Sequence, residues 1–244
     1  MFVKQLEGAN EAEVSQGARG GQALLNRADV LQKGEGNVTF VDQGEEGGYA
    51  ELNQATTSQV GNGNFAEVDQ GDDNSVAGFN QATLTQHGNF NEGEMRVGNF
   101  GTAVGNTATA TSEGDGNFVG IYQAYESGTS EAVENQATVS QKGDDNDVDL
   151  YQGAYGGYAE GNRADVTQVG SRNGADVYQG TGNLLGTPIS DTQAFASQST
   201  IGQHGESNQA ITIQAGRDDL ANVQQQGAGN IARVGQGTAV IAPF

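Results

Sequence analysis

The sequence predicts an all-β fold: a β-solenoid with two strands per rung, its rungs stacked as in a cross-β array. Three observations predict it. A pattern, N-x-A-x-x-x-Q-x-G-x-x-N, recurs along most of the chain. Within each copy, amide or apolar residues alternate with variable polar ones, the period-two signature of a strand. The composition is also too poor in apolar side chains for a thick core: 34% hydrophobic residues, 39 Gly and 2 Pro, with a net charge of -21 over 244 residues. Low hydrophobicity with high charge can also mean disorder. A register held from Asn10 to Asn173 argues for the ladder-built fold instead.

Along one rung, the first strand is NRADVLQ (Asn26–Gln32), NQATTSQ (Asn53–Gln59), NQATLTQ (Asn80–Gln86), NQATVSQ (Asn135–Gln141) or NRADVTQ (Asn162–Gln168). A turn of the form x-G-x-x follows, since Gly, Asn and Asp take left-handed conformations at low cost. The closing Asn opens a return strand, such as NFAEVDQ (Asn64–Gln70), NDVDLYQ (Asn146–Gln152) and NGADVYQ (Asn173–Gln179). Gly-rich arcs such as GEEGGYAEL (Gly44–Leu52) and GAYGGYAEG (Gly153–Gly161) lead to the next rung. The Asn steps mostly alternate between 11 and 16, a unit of 27 that lies in the solenoid range. Residues 1–9 read as a partial half-repeat, and 182–196, with Pro188, as an inserted loop. The pattern resumes at Ser197, Asn208, Asp219 and Asn230 with a unit of 22, and 237–244 forms the C-terminal edge. The whole of 1–244 is thus one repeat domain.

The inward positions are the unusual part. A lone buried amide without partners costs a few kcal/mol, but amides stacked in columns bond one another, as in cross-β ladders. The predicted ladder Asn residues are Asn10, Asn26, Asn37, Asn53, Asn64, Asn80, Asn91, Asn106, Asn117, Asn135, Asn146, Asn162, Asn173, Asn208 and Asn230. The predicted ladder Gln residues are Gln16, Gln32, Gln43, Gln59, Gln70, Gln86, Gln123, Gln141, Gln152, Gln168, Gln179, Gln203, Gln214, Gln225 and Gln236. Between them runs a thin seam of Ala and Val. The amide is lost after Asn91 (Gly93, Met95, Val97) and after Asn106 (Ala108, Ala110, Ser112), which makes these the weakest rungs.

A stack has two edges with unpaired backbone groups. Val3 and Gln5 fall where the Val and Gln of a strand preceding Asn10 belong, and Val234, Gln236 and Val240 lie at the other end. With no cap evident at either end, these five residues are the expected polymer interface, and copies stack head-to-tail in a non-closing contact. Nine rungs would add on the order of 40 Å to such a fibre. The acidic residues Glu45, Glu46, Asp72, Asp73, Asp144 and Asp145 are expected in solvated turns, where like charges limit premature aggregation.

Other chemistries find little support. The acidic balance argues against nucleic acid and anionic lipid, and no apolar run is long enough to insert in a membrane. Without Cys there is no disulfide, thiolate zinc site or Cys nucleophile. Calcium nonapeptides and a P-loop are missing. His87 and His204 sit on the outward phase with no supporting constellation, so neither a catalytic residue, a metal site nor a cofactor is expected. Thr83, Thr85, Thr107, Thr109, Thr111, Thr138 and Ser140 make an outward T-x-T array, interrupted by Arg27, Asp29, Arg163 and Asp165. A monomeric or capped β-solenoid acting as an adhesin or ice-binding protein is therefore the alternative function.

The segments QVGNGNFAEVDQ (Gln59–Gln70), QHGESNQAITIQ (Gln203–Gln214) and QQGAGNIARVGQ (Gln225–Gln236) resemble the Q-x-G-x-x-N-x-A-x-x-x-Q repeat of the curlin family, the subunits of curli-type bacterial functional amyloid. The resemblance covers most of the chain. The common curlin unit is shorter than most units here and closer to the last two. The resemblance implies a structural subunit, not an enzyme, that polymerises with itself into extracellular fibres of the biofilm matrix for adhesion and surface colonisation. It also implies export through a dedicated outer-membrane pore after signal-peptide removal, and a nucleator subunit as a further partner.

Overall fold

A computed structural model describes residues 1–72, 74–125, 130–181, 183–184, 187–188 and 193–237. The described residues contain strands and turns and no helix. Two nine-stranded sheets run the length of the molecule. Sheet A takes the first strand of each rung: Phe2–Leu6, Arg27–Lys33, Gln54–Val60, Gln81–His87, Thr107–Glu113, Gln136–Lys142, Arg163–Ser171, Gln198–Glu206 and Leu220–Ala228. Sheet B takes the return strands: Glu11–Gln16, Val38–Gln43, Phe65–Gln70, Glu92–Val97, Phe118–Gln123, Asp147–Gln152, Gly174–Gln179, Gln209–Ala215 and Ile231–Gly237. All pairing within these sheets is parallel and in register, so like stacks on like: Ala55 lies between Ala28 and Ala82, and Gln59 between Gln32 and Gln86.

The expectation of two strands per rung is corrected. A third, seven-stranded parallel sheet C is built from the arcs: Gln22–Leu24, Tyr49–Glu51, Val76–Gly78, Thr102–Val104, Glu131–Val133, Tyr158–Glu160 and Gln193–Phe195. Among the described residues, the first seven rungs therefore have three strands each and the last two have two. The reason is geometric. A unit of 27 leaves enough arc for a short strand after the turn, and its middle residue can point inward. That residue is Ala in every copy, from Ala23 to Ala194, and the six from Ala50 onward are fully buried. The insertion is also narrower than expected. Gln193–Phe195 pairs in register with Tyr158–Glu160, so the departure from the repeat ends before Gln193. Within it, Asn183–Leu184 pairs antiparallel with Thr187–Pro188.

Tight turns join sheet A to sheet B. Gly34, Gly61, Gly88, Gly114, Gly143, Gly170, Gly205 and Gly227 all have φ between 104° and 128°, which an L side chain rarely adopts. A Cβ at Gly143 would also collide with the carbonyl oxygen of Gly170 in the next rung. Glycine is thus required twice over, by conformation and by close stacking. The core is a narrow seam between sheets A and B, with Ala28, Val30, Val41, Leu84, Met95, Ile121, Leu150 and Ile201 among its fully buried members.

Candidate functional site: inner ladders, open ends and outer faces

The Asn and Gln residues singled out in the sequence fall into four inner columns. One Asn column runs from Asn10 to Asn230 at the A–B turn; the other runs from Asn26 to Asn162 at the C–A corner and continues as Ser197. The Gln columns lie at the far ends of the sheet A and sheet B strands. Asn64 shows how completely an amide is satisfied. Its Nδ2 donates to Asn37 Oδ1 at 2.9 Å and to the Gly88 carbonyl at 2.8 Å. Its Oδ1 accepts from the Asn91 backbone N–H at 3.0 Å and from Asn91 Nδ2 at 3.1 Å. Gln59 is held as fully: its Nε2 donates to Gln86 Oε1 and the Val38 carbonyl, and its Oε1 accepts from Gln32 Nε2 and Thr39 Oγ1. Every side-chain polar atom of Asn64 and Gln59 is thus paired, which turns a desolvation penalty into a specific stacking interaction.

The columns have a direction. Where one Gln stacks on another, the Nε2 of the earlier donates to the Oε1 of the later, toward the C-terminal end of the stack, as Gln141 does to Gln168 at 3.1 Å. In the Asn columns the side-chain bonds run the other way, from Asn146 to Asn117 at 3.0 Å. Two interruptions fall at the rungs flagged by sequence. Val97 stands in the sheet B Gln column, so Gln70 Nε2 has only long bonds to the carbonyls of Gln54 (3.4 Å) and Asn80 (3.5 Å), and the buried Gln123 Oε1 has no donor. Ser112, in the sheet A column, does better: its hydroxyl donates to Gln141 Oε1 at 2.9 Å.

At the N-terminal end the ladder positions are uncovered. Val3 is 37% exposed although its column neighbour Val30 is fully buried. Gln5 and Gln16 donate to Gln32 and Gln43 and accept from no Gln among the described residues. At the other end of the described residues, the amides of Gln225 and Gln236 donate to the carbonyls of Gln209 and Leu220. Ala232, Val234 and Gln236 are half-buried, where equivalents inside the stack are buried. Val240 lies outside the described residues.

The outer faces differ sharply. On sheet A, Thr56, Thr83, Thr109 and Thr138 stack in one column, and Ser58, Thr85, Thr111 and Ser140 in the next. The third column there is Gln54, Gln81, Thr107 and Gln136. Below and above this patch stand the ion pairs Arg27–Asp29 (2.5 Å) and Arg163–Asp165 (2.6 Å). His87 and His204 are exposed on the same sheet.

Sheet B carries acids and aromatics instead. Tyr122, Tyr151 and Tyr178 stack with ring centroids 4.8 and 5.2 Å apart, and Tyr125 and Tyr155 from the arcs pack against them. Arg96 sits over the Tyr125 ring at 5.4 Å and faces Glu67 at 3.3 Å and Asp69 and Glu94 at 3.7 Å. The expectation that the turn acids are solvated is corrected at Glu45, which is only 7% exposed and pairs with Arg19 at 3.2 Å. Glu46, Asp144 and Asp145 do lie in solvent, Asp72 is half-buried and Asp73 is outside the described residues. Burial, a hydrogen bond with Glu45 and the charges of Glu45, Asp72 and Glu13 push the Asp42 carboxyl up to about 7. Burial and the charges of Asp147, Asp176 and Glu94 push Asp149 to about 7. Burial and Asp147 push Asp176 to about 6.

Sequence reasoning missed the tyrosine stack and the Arg96 cluster. The signal for the first was present as I-Y-Q, L-Y-Q and V-Y-Q at Tyr122, Tyr151 and Tyr178. It also missed a second, exposed ladder in the A–B turns, where Asn62 donates to Asn89 Oδ1 and Asn89 to Asp115 Oδ1, both at 3.1 Å.

The described residues thus form a parallel β-solenoid lined by amide ladders. No family model matches this chain, and no curated protein matches it either.

Proposed function

We propose that the protein is a structural subunit that stacks head-to-tail into extracellular, amyloid-like fibres of the curli type, serving adhesion and surface colonisation in a bacterial biofilm matrix. The observation that carries this reading is the match between the two ends. Placing Leu220–Ala228 against the Phe2–Leu6 strand of another copy sets Val223 on Val3 and Gln225 on Gln5. The neighbouring strand then sets Ala232, Val234 and Gln236 on Ala12, Val14 and Gln16. Gln225 and Gln236 have donors facing outward where Gln5 and Gln16 have free acceptors, and the Asn230 oxygen meets Asn10. Two N-terminal ends brought together would set Gln acceptor against Gln acceptor, and two C-terminal ends Gln donor against Gln donor. The contact is therefore heterologous, and such contacts propagate. The curlin-like pattern of the last two rungs supports the biological setting.

Electron microscopy and fibre diffraction of the purified full chain test this. The expected result is unbranched fibres with a reflection near 4.8 Å along the axis, blocked by Val14→Lys together with Val234→Lys. A folded chain that stays monomeric over days at high concentration would refute the reading.

A further inference from the structure

The outer face of sheet A is chemically unlike the rest of the molecule. Across the four rungs from Gln54–Val60 to Gln136–Lys142, three of its four outward columns hold Thr, Ser and Gln and no charged residue, while the fourth, at the strand ends, holds Val60, His87 and the Glu113–Lys142 ion pair (3.8 Å). The chain as a whole carries -21, and the opposite face is lined with carboxylates. Two copies meeting through sheet B would set acids against acids. Two copies meeting through sheet A would not. The columns of the patch are in register, and an in-register sheet of small polar side chains is the kind of surface that interdigitates with its own copy.

The patch is nearly symmetric about its middle. Its outermost rungs both read Gln-Thr-Ser, and the Arg27–Asp29 and Arg163–Asp165 pairs bracket it on either side. A self-complementary surface of this kind suits a two-fold contact, with the first rung of one patch against the last of the other and each internally neutral ion pair against its counterpart. We infer that sheet A is a lateral docking face for a second copy of this chain, and that it pairs two fibres side by side.

Size decides when the contact operates. Four rungs by seven residues is about 19 by 23 Å, or roughly 440 Å² per copy. The total of about 900 Å² is below the roughly 1,200 Å² of stable interfaces. Isolated chains therefore stay unpaired. In a fibre the patch recurs once per chain, and the repeated contacts act together. The inference thus rests on the head-to-tail reading.

Mass-per-length measurement by scanning transmission electron microscopy tests it on fibres of the full chain, with sedimentation of freshly purified chains alongside. The expected wild-type result is two chains per nine-rung repeat of about 43 Å, from monomers. Thr83→Lys with Thr109→Lys places like charges at the centre of the contact and should halve that value while fibres still form. Thr56→Lys with Thr138→Lys, at the patch margins, should do the same. Single-chain wild-type fibres, or paired fibres that survive both variants, would overturn the lateral contact and leave end-to-end assembly standing. Failure to form any fibre overturns both.

Discussion

A single ladder amide is worth more here than its one hydrogen-bond donor group suggests. Replacing Asn64 by Ala removes a side chain that serves Asn37, Asn91 and Gly88, and leaves their buried groups unpaired. With each orphaned buried group costing about 1–3 kcal/mol, the loss should be on the order of 4 kcal/mol, read as a lower denaturation midpoint. The converse holds at Val97. Val97→Gln supplies the missing link between Gln70 and Gln123 and should stabilise by about 1 kcal/mol in denaturant titration. Arg96 offers a third test. It is the cation facing Glu67, Asp69 and Glu94, and burial with the Glu67 charge already holds the Asp69 carboxyl well above its usual range while Arg96 opposes the rise. Arg96→Met should destabilise less as the pH is lowered, because protonation of the raised Asp69 carboxyl removes a charge that Arg96 offsets; a loss independent of pH would show that Arg96 acts through packing.

The strands of sheets A and B were legible because their pattern has two unambiguous markers, an amide at each end and an alternating apolar seam between. Sheet C was not, although Ala23, Ala50, Ala77, Ala103, Ala132 and Ala159 each stand three residues before a ladder Asn. A strand of three residues offers one inward side chain, and a single Ala in a Gly-rich segment reads as arc. Its order comes from outside: the Asn amides donate to the carbonyls of these alanines in the next rung, as Asn53 does to Ala77 at 2.9 Å. The residue list of the ladders could be read from one dimension, while the electrostatics of Asp42, Glu45 and Asp69 could not, since those groups meet only across rungs. The turn glycines belong to the same scale. Gly143→Ala should cost roughly 3 kcal/mol, from about 1–2 for left-handed backbone and the rest for displacing Gly170. Hydrogen exchange should locate the damage in the two A–B turns around Asp144 and Ser171.

For the whole molecule, acidity should favour the folded state. The folded-state values of Asp42 and Asp149 lie near 7 and that of Asp176 near 6, against an ordinary 3.8. Between those limits the folded chain holds protons that the unfolded chain has released. The stability these groups contribute is full below about 3.8 and falls as pH rises toward 7, while the net charge of -21 adds repulsion in the same direction. Thermal unfolding should therefore shift upward from pH 8 to pH 5, and Asp42→Asn with Asp149→Asn should flatten the dependence.

The opposed directions of the amide columns have one further effect. In an α-helix the peptide dipoles add, and the ends acquire partial charges. Here the Gln-to-Gln bonds run toward one end and the Asn-to-Asn bonds toward the other, over a backbone whose sheets carry little net dipole. The axial polarisation of the side chains largely cancels rung by rung. Such a stack can lengthen indefinitely without building up a voltage along its axis, so its last rung meets the same electrical surroundings as its second.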